Sequence, residues 1–352
     1  MSIFKRLVAT GLIVRRALSR RGSMRYLLLL GLLIGLPAAQ AATLKIATLS
    51  PEGSSWMKVL RKHGKAVEAR TDGAVKFKFY PGGVMGDDKA VLRKMRVGQL
   101  HGAVLTAGGM VQIYPDIALY NMPMMFQGNE EIDHVRQAMD DKIMAGLRAQ
   151  KYVGFGFAEV GFAYPMSQVP MASVQEMRER KVWTPDNDVG SLKAFEAFQI
   201  APIPLPMSDV LAGLQTGLID SVASPPIGTI ALQWHTQVQH GLELPILYIY
   251  GLLAMAERPF EKLTPEQQAI VSEEFSLAVR TADQSARRDH NSAKAALSKQ
   301  GIVWQSPSEV ELAEWLSLAD DARRRLIETN YVSAEMYNEA VELLKQYREN
   351  GG

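Results

Sequence analysis

The sequence predicts an α/β protein built from parallel layers, on three observations. Strand-like and helix-like segments alternate from Leu44 onward. Short apolar runs such as GAVLT suit strands covered on both faces. The length of 352 residues, with 47% hydrophobic and 22% charged content, is enough for a full core and about two domains.

The elements follow in order. LKIAT is a short strand, and the segment from Ser54 through Ala69 has helical apolar spacing, with Ser54 or Ser55 as its cap. Thr71-Asp72-Gly73 makes a turn, after which VKFKFY alternates as a half-buried strand. DDKAVLRKMRVGQL reads as a helix stopped by Gly98, followed by the strand GAVLT. VGFGFAEVGFAYPMS carries Gly154, Gly156 and Gly161 without GxGxxG spacing, so it reads as a strand closely approached by other backbone or ligand. A second round follows: RKVWTP as strand, SLKAFEAFQI as helix, PIPLP as a stiff extended link, and SDVLAGLQTGLIDSVAS as helix then strand. In that last run Ser208 is the expected cap of a helix over 209 to 216, ended by Gly217. Thr264-Pro265-Glu266 starts a helix that runs unusually far, into the 290s. The last helix, near AEMYNEAVELLKQY, is amphipathic and is expected to pack on its own lobe.

The first forty residues are of another kind. Lys5, Arg6, Arg15, Arg16, Arg20, Arg21 and Arg25 precede the apolar run YLLLLGLLIGLPAAQA, and no acid is present. A basic start, a short Leu-rich core and a small-residue site describe an export signal over 1–41, cut after Ala41. The apolar core is about ten residues, short of the ~20 that span a bilayer. Met24 offers an alternative start, and SRRGSM resembles a twin-arginine signal without its usual apolar residue. Either route is expected to place the mature protein outside the cytoplasm.

Removing those seven bases leaves 32 Lys and Arg against 37 Asp and Glu, a net charge near −5. That argues against nucleic acid as a partner. The chain has no cysteine, and so no disulfide, thiol nucleophile or lipidated Cys. Of the six histidines only His235 and His240 are close, and a five-residue gap does not give the i, i+4 spacing of a helical zinc pair. Asp186 and Asp188 flank Asn187 as in a calcium loop, but no Gly-x5-Glu follows. With no Gly-x-Ser-x-Gly elbow and no phosphate loop, no catalytic or metal-binding residue can be named, and the protein reads as a non-enzyme. Apolar and aromatic residues instead gather near strand ends, where α/β sheets bind ligands: Trp56, Phe162, Tyr164, Trp183, Met207, Trp234 and Tyr250.

Several blocks carry a family resemblance. FYPGGVMGDDKAVLRKMRVGQLHGAVLT resembles the strand, Pro-Gly-Gly loop and helix of solute-binding proteins from tripartite ATP-independent periplasmic (TRAP) transporters, of the dicarboxylate-type, DctP-like branch. LYNMPMMFQ is similar to the family's Leu-Pro-Phe segment, MASVQEMRERKVWTP to its entry into the second lobe, and MSDVLAGLQTGLIDSVASPP to its helix-and-strand signature, with Asp209, Leu214, Gln215, Thr216, Gly217 and Asp220 in place. The resemblance implies a two-lobed periplasmic solute-binding fold with a central cleft, crossing strands and a long connecting helix. It implies lobe I at 42–161 with 252–290, and lobe II at 162–251 with 291–352. It also implies delivery of a small-molecule ligand to TRAP membrane permease subunits, with no cofactor. A homodimer stays open. The alternative is a periplasmic carrier or sensor-associated binding protein for a hydrophobic or aromatic ligand, uncoupled from a permease.

Departures from the family pattern bear on the ligand. The strand arginine that pairs with a ligand carboxylate in the family corresponds to Trp183, a second arginine to Ala163, and the asparagine before a proline to Ser224. An indole offers an apolar face and one N–H donor, so the expected ligand is apolar, aromatic or cationic rather than a simple dicarboxylate. Lys181, Arg178 or Arg180 is the counter-candidate for the missing charge. The expected ligand-binding set is Trp183, Phe162, Ala163, Met207, Ser224, Thr106, Ser54, Trp56 and Tyr250.

Overall fold

The structure, a computed structural model, describes residues 42–351 except residue 187; the export signal expected at 1–41 lies outside them. The first elements match their sequence signals closely. β1 (Ala42–Thr48) leads to α1 (Ser55–Arg70), whose cap Ser54 accepts a hydrogen bond from the Met57 amide at 3.3 Å. β2 (Val75–Tyr80), α2 (Asp88–Arg96, capped by Asp87) and β3 (Gly102–Thr106) follow. The three strands form a parallel sheet with β1 in the middle.

Next come α3 (Asn129–Ala149) and β4 (Tyr152–Ser167), then β5 (Trp183–Pro185), α4 (Val189–Ala197), β6 (Ile203–Leu205), α5 (Val210–Thr216) and β7 (Ser221–Ser224). Ser208 does not cap α5 as expected. It lies in a 3-10 turn, Met207–Asp209, and its hydroxyl donates to the Asp209 carboxylate at 3.0 Å. The chain continues through β8 (His240–Leu242), β9 (Leu247–Ala256), α6 (Pro265–Lys299), β10 (Val303–Gln305), α7 (Glu309–Glu328) and α8 (Ala334–Glu349).

The layers are not purely parallel. β9 runs antiparallel to both β3 and β4, and β4 is a seam: residues up to Ala163 pair with β9, while Tyr164–Ser167 pair with β7 and Met166–Ser167 with β8. β5 and β6 pair in parallel beside β7, linked to it by a bridge from Val182 to Ser221. One strand thus enters two sheet halves. Its ladder with β9 slips twice, between Gly154 and Phe157 and between Glu159 and Gly161, and the glycines there, Gly156 and Gly161, have φ of +125° and +117°. Those are bulge conformations that a β-carbon disfavours, which is why this strand is glycine-rich.

Each half has its own core. In the first, Leu44, Ile46, Met57 and Leu60 pack with Phe275 and Val279 of α6 on one face, while Leu92, Tyr120, Ile143 and Leu147 fill the other. In the second, Val182 packs with Trp315 of α7, and Trp183 with Trp234 and Leu297 of α6. α6, about 50 Å long at 1.5 Å per residue, therefore belongs to both halves. The last helix departs from the lobe expected for 291–352: Ala340 and Leu344 of α8 sit in the first core, and Arg348 bonds Glu131 of α3 at 2.7 Å.

Candidate functional site

The two halves meet where the short helical turn after β3, Ala107–Met110, faces the start of α4. Asp188 caps α4, accepting from the Gly190 and Ser191 amides at 3.1 Å each and from the Ser191 hydroxyl at 2.7 Å. A β-carbon on Gly108, across in the first half, would lie 2.9 Å from an Asp188 carboxylate oxygen, so glycine is what permits this approach. Two residues further, Gly190 lies directly against the Tyr331 ring, which belongs to the first core.

The next glycine, Gly109, lies directly against the side chain of Asp88, the first residue of α2. One of its oxygens accepts both the Thr106 amide (2.9 Å) and the Thr106 hydroxyl (2.6 Å). Its relative exposure is 9%, and burial pushes its carboxyl up to about 6 against the pull of those two donors, with Asp87 and Asp188 adding repulsion. Asp186 is also raised, by burial first and then by Asp87; Lys89 opposes and Asp209 adds to the effect. Carboxylates from both halves, Asp87 and Asp88 on one side and Asp186, Asp188 and Asp209 on the other, thus share one region with Lys89. Among the described residues no three acids or histidines are close enough to hold a metal ion.

The expected ligand residues divide. Thr106 is in the site, as the partner of Asp88. Met207, half-buried, opens the turn that holds Asp209. Trp183 is not a platform. It is 5% exposed, its indole N–H donates to the Leu205 carbonyl at 3.0 Å, and its ring meets Trp234 edge-on at 5.1 Å, so both its face and its donor are spent inside the second core. Tyr250 is likewise core, its hydroxyl donating to the Ile117 carbonyl. Phe162 packs edge-on against Tyr248 at 5.4 Å, and Ala163 is fully buried in register with Leu247. Ser224 is buried, its hydroxyl donating to the Pro225 carbonyl at 3.2 Å. Ser54 is the α1 cap, and Trp56 packs half-buried on the first core.

None of the counter-candidate cations reaches in. Lys181 donates to the Gly217 carbonyl at the end of α5 (2.8 Å), Arg178 to the Phe198 carbonyl at the end of α4 (3.0 Å), and Arg180 to the Glu176 carbonyl (3.2 Å). Three cations at carbonyl-rich helix ends are well placed where they are. What sequence reasoning missed is the acidic pairing of GDDK with TPDND. Both stretches stand out, but only folding shows that they face each other.

A family model described as bacterial extracellular solute-binding protein, family 7, matches residues 46–330. Among curated relatives, an uncharacterized protein YiiZ of Salmonella typhimurium is 26% identical over 219 residues, 59% of this chain and 64% of that protein. The 2,3-diketo-L-gulonate-binding periplasmic protein YiaO of Escherichia coli is 26% identical over 223 residues, 60% of this chain and 65% of that protein. The match thus spans just under two thirds of these relatives' length. Among solved structures, the sugar acid binding protein DctPAm from Advenella mimigardefordensis, in complex with galactonate, superposes with a TM-score of 0.80 at 15% identity, covering 87% of this chain and 98% of that one.

Proposed function

Because this chain belongs to the DctP-like solute-binding proteins of TRAP transporters, we propose that it works in the periplasm, holds a solute between its two halves, hands it to a membrane permease without chemical turnover, and takes a neutral or cationic solute rather than a carboxylate. The first half is 42–161 with 252–290, to which the packing of Leu344 adds the last helix.

The observation that carries the ligand reading is the charge of the meeting region. The positions of the family's carboxylate-binding arginines hold Trp183 and Ala163, both buried and neither able to pair with an anion. The meeting region instead holds Asp88 and Asp188. An anion brought to ~5 Å of one such carboxylate is repelled by about 3 kcal/mol at an effective dielectric near 20. A carboxylate stripped of water without a paired cation loses more again. YiaO and DctPAm are named for sugar acids, and this chain has exchanged the groups that would suit such a ligand.

The experiment is a thermal-shift screen of the exported protein against C4 dicarboxylates, sugar acids, primary amines and quaternary ammonium compounds. Amines or ammonium compounds should raise the melting temperature and the acids should not. Stabilisation by a dicarboxylate or a sugar acid alone would overturn the ligand reading while leaving the family assignment untouched.

A further inference from the structure

Charge is unevenly spread along this chain. Residues 42–100 carry 12 Lys and Arg against five Asp and Glu, a net charge of +7, whereas residues 101–352 carry 20 against 32, a net charge of −12. The basic stretch is also one place in the fold: it makes β1, α1, β2 and α2, and β2 is an edge strand of the sheet. An otherwise acidic protein thus has one basic corner, and such an asymmetry orients a molecule near a charged surface.

Within that corner α1 gathers its charge on one line. It has five Lys and Arg, namely Lys58, Arg61, Lys62, Lys65 and Arg70, and a single acid, Glu68. Met57, Leu60, Gly64 and Val67 form its buried stripe. At 3.6 residues per turn, the line on the opposite side passes through Lys58, Lys62 and Lys65, all exposed. The acids on and around the helix are taken by other cations: Glu52 by Arg61 at 2.5 Å, Glu68 by Lys76 at 3.0 Å, and Glu273 and Glu274 by Arg70 at 2.7 and 2.8 Å. Among the described residues Lys58, Lys62 and Lys65 have no hydrogen-bond or ion-pair partner. Three ammonium groups, spread over about 10 Å of helix, stand uncompensated on the side turned away from the core.

The kind of partner follows from this chemistry. A specific protein interface is built around buried aromatic or arginine anchors, and lysine is depleted from it. The stripe has no such anchor: it is convex, and the other exposed residues along it, Ser55 and Ala69, are small. Lysine is a compact, strongly hydrated point charge on a flexible stem. It suits a diffuse sheet of negative charge, in which no single group has to be met in a fixed geometry. Anionic phospholipid headgroups form such a sheet, and their attraction reaches over about a Debye length, ~8–10 Å at ordinary salt.

We propose that the Lys58–Lys62–Lys65 stripe of α1 is a docking surface for an anionic phospholipid leaflet, which holds the protein reversibly at the membrane with its basic corner toward it. The acidic remainder is repelled from the same leaflet, so the contact is confined to that corner. Each lysine close to such a surface is worth roughly fivefold in affinity, and the three together on the order of a hundredfold. The contact uses none of the residues where the halves meet, and so does not depend on which solute is held there.

The experiment is co-sedimentation of the exported protein with vesicles of phosphatidylglycerol and phosphatidylcholine in equal parts, beside vesicles of phosphatidylcholine alone. The parent should sediment with the anionic vesicles only, and about 1 M salt, which shortens the screening length to ~3 Å, should release it. Lys58→Gln/Lys62→Gln/Lys65→Gln should weaken binding on the order of a hundredfold at an unchanged melting temperature, since all three side chains are exposed. Lys62→Gln alone, roughly fivefold weaker than the parent, keeps the test decisive if the triple variant fails to fold. Lys142→Gln/Lys299→Gln/Lys345→Gln removes the same charge from exposed sites on α3, α6 and α8 and should leave binding nearly unchanged. Equal weakening by the two triple variants reduces the effect to net charge and overturns the assignment, as does an α1 variant that sediments like the parent or a parent that sediments with both vesicles alike. A parent that binds neither also overturns it, and leaves the stripe to an acidic protein surface.

Discussion

Replacing Trp183 with alanine separates a core residue from a ligand platform. The indole is 5% exposed, donates to the Leu205 carbonyl and meets Trp234 at 5.1 Å. Removing a buried tryptophan costs about 3–5 kcal/mol through lost burial and the cavity left behind. The lost edge-on ring contact adds about 0.5–1.5 kcal/mol, and the lost indole bond to the Leu205 carbonyl, which keeps the Asp186 amide as a donor at 3.3 Å, adds at most about 1 kcal/mol. These contributions overlap, so a net loss of about 4–5 kcal/mol is expected. At roughly 2 °C per kcal/mol for a chain of this size, the melting temperature should fall by about 10 °C. The assay is urea and thermal denaturation of Trp183→Ala beside Trp183→Phe, followed by far-ultraviolet circular dichroism. Phenylalanine keeps much of the apolar packing and should lose well under half as much. A Trp183→Ala protein that melts with the parent but no longer retains a solute through purification would refute the reasoning and restore Trp183 to the cleft.

Three further outcomes are expected. Asp88 is raised in the folded protein to about 6, from an ordinary value near 3.8, so it favours folding while protonated and loses that advantage as pH rises through about 6. Two units correspond to about 3 kcal/mol, so the stability of Asp88→Asn minus that of the parent should grow by up to this amount between pH 4 and pH 7 in urea titrations; a difference flat with pH would sink the assignment. Gly108→Ala places a methyl group 2.9 Å from an Asp188 oxygen that the cap hydrogen bonds hold in place, so the halves should be kept apart, visible as a larger radius of gyration by small-angle scattering at nearly unchanged stability. Leu344→Ala should cost about 2–5 kcal/mol and speed hydrogen exchange in α3 as well as α8, because Leu344 lies in the first core; exchange confined to α7 and α8 would place the last helix elsewhere.

Much of the fold was legible because local signals and tertiary demands agree. VKFKFY is a strand over the residues read, Thr264 caps the long helix as its Thr-Pro-Glu start announces, and Gly98 and Gly217 end their helices at positive φ. The site was less legible. Trp183 drew notice because it replaces an expected arginine, yet an alternating strand shows only that a side chain points to one face or the other, not what covers that face. Asp88 and Asp188 each read locally as part of a helix start, which they also are.

By itself, then, this sequence determined the α/β rhythm, caps such as Ser54 and Thr264, and the family, since each depends on residues near in the chain or on patterns kept in order. Only the tertiary structure decided that the tryptophan at the arginine position is core, that Lys181, Arg178 and Arg180 are spent on carbonyl oxygens, and that acids some hundred residues apart face one another. Those are properties of long-range approach, where burial and Coulomb interaction depend on distances that no local pattern encodes.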